Sequence, residues 1–299
     1  MSGYISGILA ILLINIVIAY SVYLPASAGL LNLGAAGFVL IGGYMAGEFT
    51  QFHKLPLAAA IPIGGLIAGA IGFLVSFPIL RTRGVYMVLA TFAFAEVVGG
   101  IFLNIPRYGE AAGFNINAYA GLSIVLPTTL IVIAFVAWLL STRFGLAMRS
   151  VHDDENVAML FGVDLRATQV AAFTLGGFLG GVGGALLAHQ FQYIDVQNTG
   201  VLFSIYVLLY VLMGGTQTAF GPIAGAAFFT IVPELLRGVS KYSASLKFLE
   251  DGRFIVFGIA VVLVMVLRPE GLITRTMTER LYGVFRRAPK QPAGQAGAP

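Results

Sequence analysis

Residues 4–24 read YISGILAILLINIVIAYSVYL, a run without one charged side chain. A helix rises about 1.5 Å per residue, so a run of this length crosses a hydrocarbon layer of about 30 Å. It resembles a secretory leader in position only. It is too long for an h-region, no basic residues precede it, and further apolar sequence follows at once, so it reads as a helix of the mature protein. The pattern then repeats. Apolar blocks at 4–24, 29–48, 56–79, 84–105, 120–140, 168–189, 199–213, 219–236 and 253–267 predict about nine membrane segments, within a range of eight to ten. Hydrophobic residues make up 58% of the chain and charged residues 10%, whereas about a quarter of a soluble chain is charged. Backbone groups in lipid must be satisfied within a segment. The expected fold class is therefore all-α, a polytopic transmembrane helical bundle spanning 1–287. A Pro-, Gly- and Ala-rich tail at 288–299 has nothing to bury and is expected to be disordered.

Several function classes are poorly supported. Cysteine is absent, which removes disulfides, thiol catalysis and Cys-ligated metal. Gly-Lys never occurs, so the chain has no P-loop of its own. Neither an HExxH zinc motif nor a GxSxG elbow is present, and His53, His152 and His189 lie in different loops or segment ends. No catalytic residue and no metal ligand is assigned. The sequence pI near 9.4 does not signal nucleic acid, because the basic residues are spread over loops. They orient the chain instead. One set of loops holds Arg81, Arg83, Arg143, Arg149, Arg166, Arg268, Arg275, Arg280, Arg286, Arg287 and Lys290; the other holds Lys54, Arg107, Arg237, Lys241, Lys247 and Arg253. The excess marks the first set as cytoplasmic. The 141–167 loop and the C-terminus are then expected on the cytoplasmic side, and the N-terminus outside.

That loop, STRFGLAMRSVHDDENVAMLFGVDLRA, is the longest polar stretch between two apolar blocks. It still reads as helix. Asp153, Asp154 and Glu155 crowd a first turn, Val157, Ala158, Leu160 and Phe161 follow, and Gly162 stands where a C-cap belongs. Such a helix is either a solvated connector or a docking element. Its apolar face favours docking, since burying each large apolar side chain in a partner groove gains about 1.5–3 kcal/mol.

Within the membrane, Glu96 stands near the middle of segment 84–105. A charge at bilayer centre costs about 2.5–3.5 kcal/mol even on lenient scales, so Glu96 should face the bundle or water, or be protonated. It reads either as a polar group on a translocation path, meeting a substrate ammonium, or as a carboxyl that pins two helices. Residues 29–47, GLLNLGAAGFVLIGGYMAG, hold six glycines and Asn32. They read either as an unwound element lining a cavity, or as a tightly packed helix. Candidate path residues are Asn32, Gly34, Gly42, Gly43, Tyr44 and Glu96. Residues 176–184, GGFLGGVGG, place Gly176, Gly177, Gly180, Gly181 and Gly184 at four-residue spacings. These suit close helix packing within one subunit, or a subunit interface or path.

Four passages together resemble a known family: 30–44 (LLNLGAAGFVLIGGY), 80–98 (LRTRGVYMVLATFAFAEVV), 143–187 (RFGLAMRSVHDDENVAMLFGVDLRATQVAAFTLGGFLGGVGGALL), and 209–229 (LYVLMGGTQTAFGPIAGAAFF) with 268–272 (RPEGL). In order and spacing they are similar to LivM-type membrane subunits of ABC importers for branched-chain amino acids. The likeness covers nearly all of 1–275. It implies a multi-pass permease of a bacterial inner (plasma) membrane that moves leucine, isoleucine or valine received from a periplasmic binding protein. Implied partners are a second homologous permease subunit, two ATPase subunits and the lipid bilayer, with no nucleic acid. The chain itself would hold no cofactor; ATP and Mg would be bound by the ATPase subunits. The coupling loop would engage the ATPase through Arg149, Asp153, Asp154, Glu155, Asn156, Val157, Ala158, Phe161 and Gly162. Asn156, Val157, Ala158 and Gly162 take the place of the family's E-A-A-x-x-x-G, with Asn156 for the acid and Val157 for the first Ala. Permeases for urea and other small solutes share the overall pattern and stand as alternatives. An ion-coupled secondary transporter using Glu96 is the alternative from another class.

Overall fold

The computed structural model describes residues 2–240, 258–259, 261–263, 266–267 and 271–273. The expected tail and most of the ninth expected segment lie outside the described residues. The elements run α1 (Ser2–Ala26), α2 (Ala35–Gln51), α3 (Leu57–Ile79), α4 (Val85–Leu103), β1 (Phe114–Asn115), α5 (Leu122–Ser141), α6 (Arg143–Asp153), α7 (Glu155–Leu160), α8 (Leu165–Phe191), β2 (Tyr193–Ile194), α9 (Val201–Gly214) and α10 (Gly221–Ser240). α1, α3, α4, α5 and α8 are long and apolar enough to cross a membrane, and α9 and α10 are shorter apolar helices. The protein is an all-helical, multi-pass membrane bundle. Its strand content in the described residues is one antiparallel pair, Phe114 opposite Ile194 and Asn115 opposite Tyr193. This pair marks one end of the bundle, the strand end; α6 and α7 mark the other, the loop end.

α8 is the axial helix, packed on α1, α2 and α3. Its glycines explain how one helix can touch three. A Cβ at Gly181 would meet Ala68 and Gly65 of α3, one at Gly184 would strike the Val39 carbonyl of α2, and one at Gly176 would meet Ser21 and Pro25 of α1. Gly177 and Gly180 lie against Phe38. Lipid tails are as apolar as Leu, so membrane helices gain little by hiding apolar side chains. They gain by close backbone approach, which a missing Cβ permits.

Two helices begin part-way along the bundle. The chain turns at 27–29 near the loop end, where Ser27 Oγ donates to Met148 Sδ at 3.7 Å, and residues 30–34 then rise without helical structure before α2 starts. From the strand end, residues 195–200 descend after β2 before α9 starts, with Val196 against Gly99 of α4. α9 has 14 residues, about 21 Å of helix, too short to cross the layer. The backbone of these entering stretches is satisfied by protein, as it must be away from water. The Leu33 amide donates to Thr91 Oγ1 at 3.0 Å, the Gly34 amide to Asn32 Oδ1 at 2.7 Å, the Ala36 amide to Ser204 Oγ at 2.9 Å, and the Asn198 amide to Asp195 Oδ2 at 3.0 Å. The apolar block at 29–48 is thus divided. Its first third is unwound, and its remainder is a buried helix.

Candidate functional site

At the loop end, Asp154 separates two helices. Its backbone is extended (φ −158°, ψ 113°), and Oδ1 accepts from the amides of Asn156 at 2.8 Å and Val157 at 3.1 Å. These are N-terminal amides of α7 that no helical carbonyl can reach, so Asp154 caps them. Gly162 adopts φ +81°, the left-handed turn that suits a residue without Cβ. The Gly162 amide then donates to the Met159 carbonyl and the Val163 amide to that of Ala158, at 3.0 and 3.1 Å, which closes the helix in a Schellman turn. α7 is therefore held at both ends by its own local sequence. This revises the expected single helix in one detail. Asp153 is the last residue of α6, Asp154 is the cap, and of the three acids Glu155 alone sits in the first turn of α7.

Ala158 faces inward, while Leu160 and Phe161 are each 86% exposed and Val157 and Met159 about half exposed. Met159 belongs to this apolar surface and was not singled out in the sequence. Asn156 is exposed beside it. Glu155 is tied back, its Oε1 accepting from Gln169 Nε2 of α8 at 3.3 Å. It lines a cleft of about 690 Å³ with Arg81, Arg83, Arg166 and Met159. Arg149 and Asp153 are not part of that cleft. They border a separate one of about 230 Å³ with Tyr23, Ser27 and His152. The nine coupling candidates are thus spread over two clefts and one projecting helix.

The candidate path residues do not form one surface. Asn32 is buried, with Oδ1 used by the Gly34 amide and Nδ2 without a partner among the described residues. Gly34 is the N-cap of α2. Gly42 faces the Gly181 backbone of α8, and Gly43 faces Ile194 and Gly184. Tyr44 stacks on Phe102 with centroids 4.2 Å apart, inside an aromatic cluster with Tyr108 and Phe114. Glu96 alone of the six is exposed, on the outer face of α4. Thr91 and Ser204, which both hold the entry into α2, gave no signal in the sequence. Each is a single hydroxyl in an apolar run, where such groups usually bond their own preceding turn. Thr91 does this too, donating to the Val88 carbonyl at 2.8 Å.

At the strand end, Arg107 pairs with Glu48 at 2.5 Å and lies 4.1 Å from the Phe52 ring centroid. Burial and the nearby Glu48 raise the Tyr108 phenol above its usual range, against the opposing effect of Arg107.

A family model described as the permease component of a branched-chain amino acid transport system matches residues 4–267. The chain belongs to this permease family. The permease is 27% identical over 285 residues to the high-affinity branched-chain amino acid transport system permease LivM of Escherichia coli K12, covering 83% of this chain and 65% of that protein. It therefore spans about two-thirds of the length of that relative. It is 22% identical over 290 residues to the probable branched-chain amino acid transport permease LivH of Methanocaldococcus jannaschii, covering 89% of both chains. It is also 27% identical over 241 residues to the autoinducer 2 import permease LsrC of Escherichia coli SMS-3-5, covering 78% of this chain and 62% of that protein. No solved structure matches the permease.

Proposed function

We propose that this permease is a membrane-spanning subunit of an ATP-driven ABC importer that moves leucine, isoleucine and valine inward. The observation that carries the reading is α7: a short helix capped at both ends, which holds Leu160 and Phe161 almost wholly exposed. A helix so fixed, with its apolar side uncovered, is shaped to enter a groove of a soluble partner. ATP and Mg are bound by two ATPase subunits, whose ATP-driven closure moves the docked α7 and whose hydrolysis of ATP resets it. α7 passes the motion to α8 through the Val163–Asp164 connection and the Glu155–Gln169 hydrogen bond. A second homologous permease and a periplasmic binding protein complete the assembly.

The loop end is cytoplasmic in this reading. Arg81, Arg83, Arg143, Arg149 and Arg166 cluster there, against Lys54 and Arg107 at the strand end. The similarity to permeases named for branched-chain amino acid transport favours that cargo. The similarity to an autoinducer 2 permease sustains another small solute as the second reading.

Proteoliposomes carrying the full assembly should take up labelled leucine only with ATP enclosed in the lumen and loaded binding protein outside. Uptake by this chain alone, driven by an ion gradient, would replace the reading with a secondary transporter.

A further inference from the structure

The outer faces of the bundle differ in kind. α3 presents Leu66, Phe73, Leu74 and Phe77, and α5 presents Leu126, Leu130, Ile131 and Trp138. These exposed residues are all apolar. The outer face of α4 also exposes Val85, Val97 and Ile101, but one stripe of it runs Tyr86, Leu89, Ala93, Glu96 and Gly100 to the C-cap Asn104, at three- and four-residue spacing. Tyr86 and Leu89 are exposed, and a Cβ built at Gly100 meets nothing within 4 Å. Glu96 lies in the twelfth of nineteen helical positions, within about 3 Å of mid-helix. It makes no ion pair or hydrogen bond among the described residues. A carboxylate at that depth is not stable against hydrocarbon, and in membrane helices such groups face protein or a water-filled cavity. Tight cover by another apolar helix would strand the charge just as lipid would.

We infer that the α4 stripe borders an aqueous path closed on its far side by a second permease of this family, and that Glu96 receives the ammonium group of an amino-acid cargo on that path. The inference rests on the importer reading and adds to it the group that recognises the cargo. In a path walled by apolar helices, water screens a charge less than it does in bulk, so a carboxylate favours a primary ammonium over a neutral or anionic solute. A zwitterion entering there has its ammonium matched by Glu96 and its aliphatic side chain matched by the apolar stripe. Nothing of this kind exists for a sugar or for urea, which carry no cation.

The chain lacks cysteine, so a single introduced thiol is the only one on this subunit, and the unsubstituted assembly gives the background from its partners. In the assembled importer, Ala93→Cys and Gly100→Cys should react with a quaternary-ammonium methanethiosulfonate at least tenfold faster than Leu66→Cys or Ile131→Cys. At Ala93→Cys the cationic reagent should outpace the anionic ethylsulfonate reagent at least fivefold, and adding Glu96→Gln should erase that ratio. Glu96→Gln should cut leucine uptake at least tenfold while ATPase association and binding-protein-stimulated hydrolysis persist, and Glu96→Asp should restore part of the uptake. Reaction of the stripe with lipophilic maleimides alone would place it against lipid. Failure to react with either reagent would place it in a packed interface. Either result overturns the path, and full uptake by Glu96→Gln overturns the ammonium contact. Failure of the importer reading itself shows separately, as absence of ATP-dependent uptake by the unsubstituted assembly.

Discussion

A methyl group at Gly42 would strike the Gly181 backbone, whereas one at Gly100 meets nothing. Both glycines lie in apolar helices, and sequence alone gives no reason to rank them. Gly42→Ala should destabilise the protein by about 1–3 kcal/mol, the usual cost of overpacking a close contact, and Gly100→Ala should leave stability unchanged or slightly raised. Thermal unfolding in detergent, followed by aggregation or dye binding, checks both. Ser204 makes a second case. Its hydroxyl accepts the Ala36 amide at the start of α2, so Ser204→Ala leaves that amide unpaired in a dry interior. The expected loss is about 1–3 kcal/mol, measured in the same assay, with Ser204→Thr retaining most of the stability. Asn32 was legible in the sequence because an amide in an apolar run is conspicuous. Thr91 and Ser204, which accept the nearby Leu33 and Ala36 amides, were not, because Thr and Ser are ordinary residues of membrane helices.

α7 shows how far local sequence reaches. The acid cluster and Gly162 announce a helix with marked ends, and both caps are built from residues within nine positions of each other, Asp154 to Gly162. The sequence did not show which acid caps, since that depends on one extended backbone conformation at Asp154. Gly162→Ala should loosen the helix without altering the bundle. No atom crowds Gly162, so the change adds only left-handed strain of about 1 kcal/mol, seen as roughly fivefold faster hydrogen exchange of the 160–163 amides. Phe161→Asp should leave membrane insertion and thermal stability intact, because the side chain is 86% exposed. It should lower co-purification of the ATPase subunits at least tenfold, since it removes an apolar anchor and adds a charge to be desolvated. Co-purification that survives this change counts against docking through α7.

At the scale of the molecule, the described residues place α6, α7 and the 80–84 turn at one end and the β1–β2 pair at the other. Single cysteines test the orientation proposed for them. Lys54→Cys should be labelled by impermeant thiol reagents in intact spheroplasts, and Leu160→Cys only after permeabilisation; the reverse pattern would invert the assignment. The sequence by itself determined the all-helical membrane class, the approximate positions of most apolar helices and the presence of a short helix in the 141–167 loop. All three follow from periodicity, length and charge within contiguous residues, which is information a linear chain carries. Only the tertiary structure decided that α2 and α9 start part-way along the bundle, that the glycines of 176–184 seat three helices on α8, and that Glu96 faces outward while Tyr44 is buried. Those outcomes depend on which helix face meets which neighbour. In a membrane, where nearly every face is apolar, hydropathy cannot tell one side from another, and the close fit of backbones makes the choice.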